Sequence, residues 1–289
     1  MAIQILTDSS CDLTLEQFSE LDIQIAPLTV HLDGQDYEDG VTIQAKTVYD
    51  AMRQGKAPKT SQISPQTFKE IFTSHAKENK PLVYIAFSSQ LSGTYQTAKM
   101  MEQEVKEAYP DAPIHVIDTK CASLGQGLVV LHAAKLAKQG ASVDEVVNAV
   151  RYQSEHMEHI FTVDDLEYLK RGGRISKAQA FVGTLLKVKP LLHVDDGKLV
   201  PLEKIRGSKK VLSRMLELME ERGLDLTNQT IGISHGDDLE RAEQLSKMIQ
   251  DKFSVSENQI VIEMVGSVIG AHSGPGTIAL FFSNKPKPN

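Results

Sequence analysis

The sequence predicts an α/β protein of two α/β domains, and three observations carry that expectation. Strand-length β-rich runs alternate with stretches of helical period from the first residues onward. The same alternation starts again roughly halfway along the chain, past a helix at Val143 to Gln153. With 289 residues, 41% of them hydrophobic and 24% charged, the chain can fill two cores and is too apolar for disorder.

In order, Ile3 to Leu6, Ile23 to Leu28, Leu82 to Phe87 and Ile114 to Ile117 read as strands. Thr14 to Leu21, Gln66 to Glu78, Gly93 to Tyr109 and Gly125 to Gln139 read as helices between and after them. Such alternation favours a parallel sheet covered on both faces. Leu128, Val129, Val130, Leu131, Ala133, Ala134, Leu136 and Ala137 leave their helix almost no polar face, so more than one layer is expected to cover it. The second half repeats the pattern with strands at Ile160 to Val163, Leu191 to Val194, Leu199 to Leu202, Thr230 to Ser234, Ile260 to Val265 and Thr277 to Phe282. Its helices are Lys209 to Arg222 and Leu239 to Phe253. A boundary near His156 to His159 divides the chain into a parallel-sheet N-terminal domain (1–157) and an α/β C-terminal domain (158–289), with a cleft between them.

Composition removes several functions. With 31 Lys plus Arg against 38 Asp plus Glu and no basic tail, nucleic acid is not an expected partner. The opening Met1-Ala2-Ile3-Gln4-Ile5-Leu6-Thr7-Asp8 lacks a basic leader, and no apolar run reaches about 18 residues, so a cytoplasmic location is expected. Cys11 and Cys121 read as two small thiols near turns. Neither a phosphate-binding G-x-x-x-x-G-K-[ST] loop nor a G-x-G-x-x-G after a strand occurs, and the G-x-S-x-G elbow of α/β hydrolases is missing. His156 and His159 resemble half of a metal pair, but H-E-x-x-H and any Cys cluster are absent and a polar helix end explains them, so no metal is expected.

The chemistry-bearing residues collect at strand exits. Tyr84-Ile85-Ala86-Phe87 runs into Ser88, Ser89, Ser92, Gly93 and Thr94 before a helix, which brings hydroxyls and free backbone N–H groups together as an anion site. Simple N-capping is the plainer alternative. Thr7-Asp8-Ser9-Ser10 and Asp118-Thr119-Lys120-Cys121-Ala122-Ser123 leave other strands, at the edge where parallel sheets bind ligands. In Thr60-Ser61-Gln62-Ile63-Ser64-Pro65, Ser64 reads as an N-cap with Pro65 in the first turn, while Thr60 and Ser61 are free to face the same edge. Gly266 to Gly276 reads as a glycine-rich loop around His272, which could orient an anion. Arg171, Arg174 and Arg206 stand in two local cationic segments suited to phosphate or an acidic protein surface. Ser92 with His272 leaves open a serine esterase or a small-molecule transferase, and a protein-interaction module is a third reading.

Taken in order, the opening Thr-Asp-Ser-Ser, Tyr37-Glu38-Asp39-Gly40-Val41, Thr60-Ser61-Gln62, Ser88 to Thr94, Leu169 to Ile175 and Gly270 to Gly276 resemble the DegV family along essentially the whole chain. The resemblance implies a two-domain fold with a lipid tunnel between or beneath the domains, holding a long-chain fatty acid. It implies the FakB role: a non-enzymatic subunit that presents the carboxylate to a separate, dihydroxyacetone-kinase-like, ATP-dependent fatty acid kinase. The acyl phosphate would then pass towards phospholipid synthesis, with transient contact to an acyltransferase or membrane, and no cofactor beyond the bound lipid. Carried over residue by residue, Thr60, Ser61, Ser92, Gly93, His272 and Arg206 would surround the carboxylate, and Arg171 and Arg174 would face the kinase. The Leu128 to Ala137 helix and the Ala178, Phe181, Val182 and Leu185 face are the expected tunnel lining.

Overall fold

β1 (Gln4–Asp8) is buried along its whole length and lies between β2 (Ile23–Ala26) and β6 (Leu82–Ala86), with β7 (Ile114–Asp118) outside β6. The computed structural model describes residues 2–175 and 188–284. All pairings in this four-stranded sheet are parallel, as the apolar runs predict. The order β2-β1-β6-β7 turns the chain in opposite directions from β1 and β6, so a crevice opens at their carboxyl ends.

Helices α1 (Leu15–Glu20), α3 (Pro65–Lys77), α4 (Thr94–Ala108) and α6 (Val143–Glu155) follow the predicted spans within one or two residues. Thr14 and Ser142 start α1 and α6 with capping boxes, and Ser64 Oγ accepts from Thr67 N at 3.1 Å, with Pro65 in the first turn of α3.

The second sheet has six strands in the order β10-β9-β8-β13-β11-β12: β8 (Met157–Thr162), β9 (Val188–Asp195), β10 (Lys198–Arg206), β11 (Ile231–His235), β12 (Ile260–Met264) and β13 (Ile278–Ser283). Only β11 and β12 run parallel; every other pairing is antiparallel. Strand alternation gives this sheet two apolar faces. Ile160, Leu191, Ile278, Leu280 and Phe282 pack with α8 (Ser208–Arg222) and α9 (Leu239–Phe253), whereas Phe161, Leu192, Ala279 and Phe281 face the other way.

That other face meets α5 (Leu124–Lys138). Leu124, Leu128, Val129 and Ala133 share one core with Val83 and Ile85 of the parallel sheet and with Phe161, Leu192 and Phe281 of the mixed sheet. A helix wedged between two sheets must be apolar on most of its circumference, and its exposed lysines, Lys135 and Lys138, fall in the last turn.

The structure adds elements that the sequence reading passed over. β3 (Thr29–Leu32), β4 (Gln35–Glu38) and β5 (Lys59–Ser61) form a small antiparallel sheet, with α2 (Ala45–Arg53) before β5. A short α7 (Glu167–Arg171) precedes Gly172 and Gly173. The expected loop from Gly266 to Gly276 is corrected to a helix of about two turns, α10 (Ser267–Ser273), bounded by Gly266 and by Gly274 at φ 82°. Gly266 and Gly274 mark its two ends, and Gly270 lies inside it.

Candidate functional site

A cavity of about 300 Å³ lies where the exits of β2 and β6, strand β5 and α10 approach the inner face of the mixed sheet. Thr60, Ser61, Ser92, Gly93 and His272 all line it, together with Arg174. Phe87, Leu91, Phe161, Leu199, Ile269 and Phe281 supply much of its apolar wall. The expected lining by Leu128 to Ala137 does not occur, because α5 is consumed by packing between the sheets. Ala178, Phe181, Val182 and Leu185 lie outside the described residues.

Thr60 and His272 meet directly: Thr60 Oγ1 and His272 Nε2 are 2.7 Å apart. Burial, reinforced by the charges of Arg174 and Arg171, holds the His272 imidazole down to about 4, so it is neutral at physiological pH. Gly172 backs the ring so closely that a β-carbon there would stand 2.2 Å from His272 Nδ1. Ser92 Oγ caps α4 by accepting from Thr94 N at 3.2 Å and lies 2.9 Å from Thr94 Oγ1. Ser92 and His272 therefore bond to different partners. No nucleophile–base contact joins them.

Asp8 sets the position of the Ser92 loop. Its Oδ2 accepts from Tyr84 Oη at 2.8 Å and from Phe87 N at 2.9 Å, tying the exit of β1 to that of β6. Asp118 does the same from β7, accepting from Ser89 N at 3.0 Å. The exit of β1 thus acts as scaffold, while the exits of β6 and, through Ala122 and Ser123, β7 reach the cavity.

Ser61 follows Thr60 in β5 but bonds outward, its Oγ 2.6 Å from His31 Nε2, while His31 Nδ1 lies 2.5 Å from Asp36 Oδ1. Arg174 crosses from the C-terminal half: its Nε donates to Leu91 O at 3.1 Å and its Nη1 to Gly172 O. Burial lowers its pKa. Arg171 is exposed beside the cavity, its guanidinium 5.3 Å from the centre of the Tyr168 ring. Arg206 is exposed at the end of β10, paired in register with Val188, and does not line the cavity.

The apolar wall was not foreseen, nor was one buried histidine within it. His159 is buried on β8, with Nε2 accepting from Ala122 N at 3.2 Å and Nδ1 3.0 Å from Met157 O. Burial holds it down to about 4. The signal was its spacing of two from Phe161, which puts both on the inner face once β8 is started at Met157.

Among the described residues, no group of three or more His, Cys, Asp or Glu is placed to hold a metal ion, and no helix is long and apolar enough to cross a membrane.

This arrangement has counterparts. A DegV domain-containing protein of Clostridium perfringens is 42% identical over 286 residues, covering 98% of each chain, and one of Streptococcus pyogenes is 39% identical over 284 residues, 97% of this chain and 98% of that one. A solved DegV family protein of Thermus thermophilus, described as fatty-acid-binding, superposes with a TM-score of 0.90 at 32% identity, covering 98% of this chain and 100% of that one. DegV of Bacillus subtilis, described as a fatty acid binding protein, gives 0.84 at 30% identity, with 97% and 98% covered. A family model described as uncharacterised protein, DegV family, matches residues 2–285, and with relatives this similar over nearly the full length the chain belongs to the DegV family.

Proposed function

We propose that this protein holds a long-chain fatty acid in the 300 Å³ cavity, with its carboxylate at Thr60, Ser92, Gly93 and His272. The observation that carries this reading is the Thr60–His272 contact of 2.7 Å, at the polar end of an otherwise apolar space. Neutral His272 can donate Nε2–H to Thr60 Oγ1, which frees the threonine hydroxyl hydrogen for a carboxylate oxygen. Arg174, which among the described residues has no carboxylate partner, adds a cation at the same end. Fatty-acid-binding relatives of the same fold support the ligand class.

The tail dominates affinity. At roughly 0.8 kcal/mol per methylene, about 14 methylenes contribute on the order of 11 kcal/mol before association and rotor costs. Hydroxyls without a close ion pair then orient the head group and leave it releasable.

On the same reading the protein catalyses nothing itself. It presents the carboxylate to a separate ATP-dependent kinase subunit of the dihydroxyacetone-kinase type in the cytoplasm, and carries the acyl phosphate towards phospholipid synthesis. Arg171, exposed beside the cavity, is our candidate for the kinase contact. The test is lipid extraction and native mass spectrometry of the purified chain. A mass increment matching one fatty acid is expected; an apo protein that also fails to take up oleate or palmitate would refute the proposal.

A further inference from the structure

A second cavity, of about 590 Å³, lies between α1, α2, β12 and the start of α10 and shares no lining residue with the first. Leu13, Phe18, Ile25 and Met264 give it an apolar wall. Its inner end is acidic. Asp12 is 6% exposed and Asp39 3% exposed, and among the described residues no Lys, Arg or His forms an ion pair with either. Lys46, at the rim, is engaged instead by Asp50 at 2.6 Å and Asp237 at 3.7 Å.

The carboxylates are only partly satisfied. Asp12 Oδ1 accepts from Gly266 N at 2.9 Å, and its Oδ2 from the hydroxyls of Ser123 and Ser234. Asp39 Oδ1 accepts from Ser267 N at 3.0 Å, but Asp39 Oδ2 has no partner in hydrogen-bond geometry. Neither has Ser267 Oγ, on a residue 1% exposed. Burial pushes both carboxyls up, Asp12 to about 7 with the Asp39 charge adding to the rise, while the Ser267 and Ser9 hydroxyls temper it at Asp39.

Gly266 keeps the approach open. A β-carbon there would stand 3.2 Å from Asp12 Oδ1, 3.7 Å from Asp39 Oδ2 and 3.7 Å from the Ser9 carbonyl oxygen, so these oxygens border one common space. Two buried acids without a cation either hold protons or, when ionised, call for a positive partner.

We propose that this cavity binds a small organic ammonium, its primary amine donating to Asp12, Asp39 and Ser267 and its apolar body lying against Leu13, Phe18 and Met264. An ammonium's three donors match the three acceptors. A bare metal ion fits less well, since among the described residues no group of three titratable ligands is present and the space far exceeds one ion. The site uses none of the fatty-acid residues and stands independently of that reading.

The test titrates n-hexylammonium chloride into the full chain by calorimetry at about pH 8, where Asp12 is ionised, with KCl and MgCl2 in parallel. Saturable binding of the amine is expected, tighter than either salt. Asp39→Asn keeps an acceptor for Ser267 N but removes the charge, and Gly266→Ala places a methyl in the common space. Each should weaken binding at least about tenfold while bound fatty acid stays unchanged. Should Asp39→Asn fail to fold, Ser267→Ala replaces it, with a loss of about threefold expected. Absence of saturable binding in the wild type, wild-type affinity in a folded variant, or tighter binding of magnesium would overturn the proposal.

Discussion

Thr60 and Ser61 are neighbours on β5 yet bond on opposite sides of the small sheet: Thr60 Oγ1 meets His272 Nε2 at 2.7 Å, and Ser61 Oγ meets His31 Nε2 at 2.6 Å. The register explains it, since Thr60 pairs with buried Val30 and Ser61 with Thr29. Thr60→Ala, alone or with Ser92→Ala, is therefore expected to weaken fatty-acid retention by roughly ten- to hundredfold, the range of a lost hydrogen bond to a charged group. Ser61→Ala should leave retention within about twofold. Displacement of a fluorescent fatty acid reads both; equal losses would contradict the assignment of faces.

Gly172 leaves no room for a side chain against His272. In Gly172→Ala the new methyl, 2.2 Å from Nδ1 at the unrelaxed position, must push the imidazole away from Thr60. Retention should fall as far as in His272→Ala, with a stability loss of about 1–3 kcal/mol from overpacking. A crystal structure of the variant with His272 still bonded to Thr60 would remove the glycine's role.

Arg171 and Arg174 stand three residues apart in different environments. Arg174→Ala removes the bond to Leu91 O beside Ser92 and should weaken lipid retention about tenfold. Arg171→Ala removes a contact with the half-buried Tyr168 ring and should leave retention nearly unchanged while slowing kinase-dependent phosphorylation. Turnover assays with the kinase, run beside retention assays, separate the two; normal turnover in Arg171→Ala would exclude that residue from the kinase contact.

Acid stability should show two opposed contributions. His159, held at about 4 against an ordinary value near 6.5, stabilises the fold fully above about pH 6.5 and loses that contribution as pH falls through 4, roughly 3 kcal/mol in all. Asp12, pushed up to about 7, acts in the reverse sense: its contribution is complete below about pH 3.8 and is lost as pH rises through 7, roughly 4 kcal/mol. His272, also held at about 4, adds to the sense of His159 across about pH 4 to 6.5. Urea midpoints across that range should rise more steeply with pH in Asp12→Asn, and less steeply in His159→Gln, than in the wild type. A wild-type profile in Asp12→Asn would exclude Asp12 as a source.

What the chain announces locally was legible. Ile5, Val83 and Ile117 sit in short β-rich runs that can only be buried strands, and the apolar circumference of α5 required two layers. The β3–β4 hairpin was not read, although Asp33-Gly34, both at positive φ, is a two-residue hairpin signal, because four-residue strands carry too little period. Helix α10 was hidden by glycines at its ends. Thr60, Ser92 and His272 were found from hydroxyl clustering and family resemblance. Their mutual placement could not be read, because it depends on α10 packing across from the other half. Arg206, by contrast, ends an edge strand and is exposed away from the cavity lining, a placement that its cationic segment did not reveal.

The wedge position of α5 also governs how the molecule comes apart. Cutting the chain between His156 and Met157 would leave the mixed sheet without the helix that covers Phe161, Leu192 and Phe281, and would strip the opposite side of α5 bare. Each fragment would keep the core on one face of its sheet and expose the other face. Calorimetry of the intact chain should accordingly record a single endotherm rather than two, and the halves expressed separately should regain native structure only when mixed.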